Sequence, residues 1–427
     1  SEQRGNSPNI ARSEDGDRIA IAWQEHDGSK WGLQVRTSAD FGATWAEPEP
    51  LPAVGSAVNP RIASSADGSV IAAVWQELDA DRYRVKISTS ADSGATWTAP
   101  AYLSNTSEDA RDPRLSMSAD ASRLTAVWHS VDNFNWRVRA SSSADFGASW
   151  SLPSTLAESD NPPNPELTGS TDGTWAAVLW RGFASAADES KAFVSVTDDG
   201  GVSWRAPADL SGDGAQVFPC IASSSDGGTV VATWVGSDYL AHLRVSDDSA
   251  ATWRTVVAFS EPGLLATAPK ITVSADGLRL AAAWHSYDGS NYHVKVRTSA
   301  DGGTTWDSPK TVSQYESRND HPEIVDSRNG TQLAAAWRWR DSDGDKRVQV
   351  ATTSLTPADT TRPEVTGTPD RLAVDGWYSG PVTVSWTAVD DNDGQLAPPP
   401  DTVLDQEGAD QTATSEQVCD AAGNCAT

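Results

Sequence analysis

An eight-residue stretch recurs along this chain at nearly even spacing, and no other feature limits its fold so tightly. Ser38–Trp45 reads SADFGATW and returns as SADSGATW, SADFGASW, TDDGGVSW, SDDSAATW and SADGGTTW. The aspartates at its third position are Asp40, Asp92, Asp145, Asp199, Asp248 and Asp301, separated by 52, 53, 54, 49 and 53 residues. A second register, a tryptophan closing an apolar run, counts seven: Trp23, Trp75, Trp128, Trp180, Trp234, Trp284 and Trp337. A third opens each unit as PNI, PRI, PRL, PEL, PCI, PKI and PEI, from Pro8 to Pro322, and also counts seven. Regular spacing of this kind means an array of one supersecondary unit.

Within a unit the order is constant. In the second, RIASS from Arg61 is followed by the turn ADG, then SVIAAVW, a polar stretch, RYRVKISTS, the repeated motif and TAPAYLS. Asp-Gly or Asn-Gly between apolar runs, as at Asp67-Gly68 and Asn329-Gly330, is a strong hairpin signal. Each unit therefore reads as four short antiparallel strands, and helical periodicity is absent. Seven such units predict an all-β chain, a seven-bladed β-propeller with four-stranded antiparallel blades. The second strand, apolar on both faces, suits a strand sandwiched between neighbouring blades. The first, rich in small residues as in IASS, suits crowding at a central axis.

The pattern Ser/Thr-x-Asp-x-Gly-x-Thr/Ser-Trp resembles the Asp-box (BNR repeat) of sialidase-like propellers, over roughly residues 8 to 355. That resemblance implies a structural turn between the third and fourth strands, on the face away from the ligand. The Asp accepts backbone N–H bonds, the Gly supplies positive φ, and the Trp packs the turn onto the blade. Two departures carry expectations. Ala250 replaces the Gly in the fifth copy and should strain that turn. The seventh unit ends VQVATTSLTPADTT without the Asp or the Trp, so either its outer strand is missing or the segment before Pro8 supplies one.

The domain reading is a propeller over 1–356, a linker over 357–363, and a module over 364–427. Residues 361–427 hold 12 acidic and 2 basic residues, and DGWYSGPVTVSWTAVD and VCDAAGNC resemble a bacterial immunoglobulin-like β-sandwich that continues past Thr427. Cys419 and Cys425 are placed to pair across a tight turn, which favours an oxidising, extracellular compartment, secreted or at the cell surface. The chain starts at Ser1 and its only methionine is Met117, so it reads as a processed or excised form. No apolar run approaches the roughly 18–20 residues of a membrane span, and the first residues do not look like a signal peptide. A net charge of −27, from 59 acidic and 32 basic residues, argues against nucleic acid and anionic membranes as partners.

Candidate chemistry gathers where the first strands begin. The residue after each opening proline is Asn9, Arg61, Arg114, Glu166, Cys220, Lys270 or Glu323, and these should ring the channel mouth. In sialidases, which this resembles, arginines at that register grip a substrate carboxylate bidentately, and PRI at Arg61 and PRL at Arg114 match. Mutual salt bridging of Arg61 and Arg114 with Glu166 and Glu323 is the plain alternative. A sialidase also needs a tyrosine nucleophile beside a glutamate, for which Tyr315 and Glu316 are the candidate pair. His129 and His285 follow the second-strand tryptophan, as rim residues or ligand contacts. Trp31, Tyr83, Trp136, Tyr239 and Tyr292 sit nine residues before their motif aspartates, as packing residues or sugar-stacking platforms. No cofactor is required. Calcium is the one ion the acidic loops could take, through Asp341, Asp343 and Asp345 or through Asp390, Asp391 and Asp393. The expected function is binding of a glycan or protein ligand on the face opposite the repeated turns, as part of a chain with further domains. The alternatives are an exo-acting sialidase-like glycoside hydrolase and a structural spacer.

Overall fold

The computed structural model describes residues 4–183, 190–212, 218–313, 319–327, 329–340, 346–354, 362–371, 378, 380–390, 394–406, 412–419 and 425–427. The chain divides into two compact units, Ser1–Leu355 and Thr356–Thr427. The described elements are all β, and every strand pairing is antiparallel.

In the first unit, chain order and sheet order coincide. Six four-stranded sheets are followed by one of three strands, each a meander in which consecutive strands pair. Sheet two comprises Ser56–Ser64, Ile71–Asp79, Arg82–Ser90 and Ala101–Tyr102. Its second strand is buried through seven consecutive positions, as expected of a strand covered on both faces. Six apolar clusters result, each joining two consecutive sheets. Ile62 and Trp75 of sheet two pack with Leu33 and Val35 of sheet one, and Leu333 and Trp337 of sheet seven with Val294 and Val296 of sheet six.

The hairpins between first and second strands are chained by main-chain hydrogen bonds. The N–H of Glu14 donates to the Ala66 carbonyl at 2.7 Å, Ala66 to Ala119 at 2.7 Å, Ala119 to Thr171 at 2.6 Å, Thr171 to Ser225 at 2.7 Å and Ser225 to Ala275 at 3.0 Å. Arg12 of sheet one reaches the Asp326 carbonyl of sheet seven at 3.3 Å. The six repeated turns all sit at this end, because each donates an N–H to the hairpin beside it, as Phe41 does to Asp17 and Phe146 to Ser122.

The repeated turn is a fastener built from its own residues. In the third copy, Asp145 accepts the Ser149 N–H at 2.9 Å and the hydroxyls of Ser143 and Ser149 at 2.8 and 2.5 Å. Ser143 Oγ accepts the Gly147 N–H at 2.9 Å, and Trp150 Nε1 donates to the Gly147 carbonyl at 3.1 Å. The amide bonded by Asp145 lies at the surface, whereas the Ser143 hydroxyl works partly buried. Two successive residues take positive φ, Phe146 at 62° and Gly147 at 82°, and in the fifth copy Ser249 and Ala250 do so at 56° and 62°. Ala250 thus holds a conformation that its Cβ disfavours.

Sheet seven consists of Asn319–Asp326, Gln332–Arg340 and Lys346–Ser354, with no fourth strand among the described residues. The segment before Pro8 does not complete it, since Arg4–Arg12 forms the first strand of sheet one and pairs with Ile19–His26. In the second unit, Val382–Asp390 is the central strand, paired with Glu364–Pro369, Gly394–Leu396 and Thr402–Leu404. A short hairpin there carries the disulfide between Cys419 and Cys425.

Candidate functional site

Proline cannot donate to a β-ladder, and the first strands of sheets one, two, three, six and seven meet this by bulging, whereas those of sheets four and five begin after the proline. The residue before the proline turns left-handed, with φ of 50° at Ser7, 55° at Asn59, 51° at Asp112, 45° at Asn164 and 48° at Ala268. Strand register slips at the same place, between Val58 and Arg61 and between Thr267 and Lys270. Regular pairing then resumes at the residue after the proline.

Arg61, Arg114, Glu166, Lys270 and Glu323 share one electrostatic environment, but in the nine-residue first strands these residues stand mid-strand rather than where the strand begins, as Arg61 does in Ser56–Ser64, paired with Val74. Arg114 grips Glu166 of the next sheet bidentately, Nε at 2.9 Å and Nη2 at 2.7 Å, and Lys270 meets Glu323 at 3.1 Å. Burial opposes ionisation of Glu166, but Arg114, with Lys270 and Arg61, holds its carboxyl below the usual range. Lys270 is likewise desolvated, yet Cys220, Glu323 and Glu166 keep it above the ordinary lysine value. Burial pushes the Cys220 thiol up to about 11.

Arg61 differs. Its guanidinium donates to the Pro60 carbonyl at 3.2 Å and forms no ion pair among the described residues. Burial and the charge of Arg114 push it down to about 10, against the more distant attraction of Glu166, Glu323 and Asp112. Arg114 is thus neutralised by Glu166, as the salt-bridging alternative expected, whereas Arg61 has no carboxylate partner among the described residues.

Sequence reasoning missed Asn59 and Asp112, which precede the prolines of sheets two and three. Asn59 N–H donates to Gln24 Oε1 at 2.9 Å, Asn59 Nδ2 to Asp112 Oδ1 at 2.8 Å, and Asp112 N–H to Gln76 Oε1 at 2.8 Å. The signal was present as Asn-Pro and Asp-Pro dipeptides one unit apart. His129 is buried beside Asp112 at 3.9 Å and edge-on to Trp136. Burial and the nearby arginines push it down to about 4, so it is neutral at pH 7. His285 packs beside Tyr292, and Trp31 against His26. The Tyr83 ring is covered by Arg111 at 4.6 Å. Trp31, Trp136 and Tyr292 thus pack within their own hairpins, Tyr83 packs against the next sheet, and Tyr239 is exposed.

Tyr315, Glu316, Asp341, Asp343, Asp345, Asp391 and Asp393 lie outside the described residues, and Asp390 is buried. No cluster of three or more metal-ligating side chains occurs among the described residues.

No protein-family model matches this sequence, and neither does any curated protein. Among solved structures, the chain is similar to the β-propeller domain of the Trilobed protease from Pyrococcus furiosus, at 10% identity and TM-score 0.49, over 84% of this chain and 96% of that one. It is similar to the NanB sialidase of Streptococcus pneumoniae at 14% identity and TM-score 0.46, over 82% and 68%. It is also similar to the Hadza microbial sialidase Hz136 at 12% identity and TM-score 0.43, over 66% of this chain and 63% of that one.

Proposed function

We propose that the first unit is a seven-bladed Asp-box propeller that binds an acidic ligand, a carboxylate-bearing glycan or protein, at the channel mouth opposite the repeated turns. In this reading the protein is extracellular and the second unit is an immunoglobulin-like module. The observation that carries the reading is Arg61, a desolvated guanidinium without an ion-pair partner among the described residues, beside an arginine whose charge is already matched. A bound carboxylate would restore to Arg61 the charge compensation that Glu166 gives Arg114. The bulged rim of Asn59 and Asp112 supplies fixed polar groups alongside.

The test is titration of sialic acid and of acidic and neutral glycan arrays at low and high salt, with wild type and Arg61→Lys. Saturable binding of acidic ligands should weaken as salt rises, and by about tenfold in Arg61→Lys, because an ammonium lacks the planar fork. No saturable binding in the wild type refutes the proposal. Turnover of a fluorogenic sialoside would replace it with the hydrolase reading.

A further inference from the structure

In five of the six complete sheets the fourth strand is two residues long and docks in one way. It pairs antiparallel with the third strand, Lys86 opposite Tyr102 and Ile87 opposite Ala101 in sheet two, Lys295 opposite Thr311 and Val296 opposite Lys310 in sheet six. A large apolar residue follows and donates its N–H to the third strand, Leu103 to the Val85 carbonyl at 2.9 Å and Phe259 to Ala241 at 2.9 Å. In four sheets a serine comes next, and its hydroxyl accepts the N–H of that same third-strand residue, as Ser104 does from Val85 at 3.0 Å and Ser260 from Ala241 at 2.9 Å. The apolar side chain is buried in the seam with the following sheet, as Leu51 is among Ile62, Ile71 and Val35. Carboxylates beyond it reach third-strand cations: Glu158 meets Arg137 in its own sheet, whereas Glu108 meets Arg139, and Glu261 meets Lys295, of the following sheet.

Sheet seven has the receiving half of this arrangement, without the strand among the described residues. By register with Trp337, Gln349 and Val350 occupy the positions of Lys86 and Ile87, and Val348 that of Val85. Val85 and Ile87 are fully buried, whereas Val348 is 73% exposed and Val350 63%. Across the seam, Ile10 of sheet one is 58% exposed, where its counterpart Ile62 is 6% exposed. Ile19, Ile21 and Trp23 are only half-buried, where Ile71, Ala73 and Trp75 are fully buried. The uncovered surface thus continues the interface that six seams already bury. At the spacing of the other sheets, the residue that would begin the strand is already paired elsewhere. In every complete sheet the fourth strand begins eleven residues after the third ends, as from Ser90 to Ala101. Eleven residues beyond Ser354 is Val365, which is paired with Ala388 in the second unit.

We propose that the outer edge of Lys346–Ser354 is a docking site for an extended segment of a partner polypeptide, which completes sheet seven as its fourth strand. The partner's chemistry follows from the strands already in place: two extended residues, then a leucine or phenylalanine that fills the seam towards Ile10, then serine, then acidic residues. The acidic end corresponds to Glu158, which meets Arg137 at the register position that Arg347 holds in sheet seven. Main-chain pairing holds the segment, and the apolar side chain selects it.

The probe is a labelled synthetic peptide with the sequence of Thr98–Glu108, TAPAYLSNTSE, titrated by fluorescence polarisation into the full chain. Saturable binding is expected, about tenfold weaker or worse for the peptide carrying Leu103→Asp. Val348→Pro in the protein should weaken it equally, because it removes an outward N–H while leaving the bonds to the second strand. Circular dichroism checks that this variant folds, and the altered peptide tests the claim without it. Absence of saturable binding, or binding indifferent to both changes, overturns the proposal. Slow amide exchange at Val348 in the free monomer would mean that the chain covers its own edge, and a concentration-dependent dimer by light scattering that a second copy does; either overturns it.

Discussion

Glu166→Gln tests whether the channel mouth is an electrostatic unit. In the native chain Glu166 meets Arg114 through two hydrogen bonds and shares the axis with Lys270 and Arg61. The substitution keeps the side-chain shape and removes the charge, so three cations face Glu323 and Asp112 alone. Breaking a fully buried pair costs about 3–5 kcal/mol. The Arg114 and Glu166 side chains remain 20% and 26% exposed, so water screens part of that loss. A cost of about 1–3 kcal/mol is expected in urea melts at pH 7. Because the folded carboxyl titrates below its unfolded value, its stabilisation is fully present above about pH 4.3 and is lost as pH falls through the folded pKa. The gap between wild type and variant should therefore be wide at pH 7 and narrow on acidification below pH 4. Equal stability at pH 7, or a gap that acid leaves unchanged, would refute the account.

Ala250→Gly should stabilise the protein by about 0.5–1 kcal/mol in thermal melts, because glycine adopts a φ of 62° without the Cβ penalty. Ser143→Ala should cost about 1–2 kcal/mol, since the hydroxyl of this buried serine bridges the Gly147 N–H and Asp145. Ligand binding measured on that variant at a permissive temperature should equal wild type, because the turn bonds of Asp145 and Ser143 involve none of Arg61, Arg114 and Glu166.

The channel mouth was legible in part. The register after each proline named Arg61, Arg114, Glu166, Lys270 and Glu323, and all of them share one electrostatic environment. Pairing was not legible, because it depends on how far each side chain reaches across the axis. The bonds that Asn59 and Asp112 make to each other and to Gln24 and Gln76 were not legible for a similar reason: each joins two sheets and forms only when neighbouring sheets pack. The aromatics before each motif could pack or stack sugars, and ring contacts within their own hairpins account for Trp31, Trp136 and Tyr292.

What the sequence determined by itself is local and repeated: the strands, the hairpins, the turn chemistry of the six motifs and the count of units. Each depends on contacts within a few residues, and repetition amplifies a weak signal. What the tertiary structure decided is how unlike units meet. Sheet one and sheet seven carry nearly the same strand patterns as the other five, yet their facing surfaces are the ones left uncovered. A strand pattern specifies that a face is apolar, but covering that face requires a neighbour in register. At this seam the residue that would supply it, Val365, is already paired in another sheet.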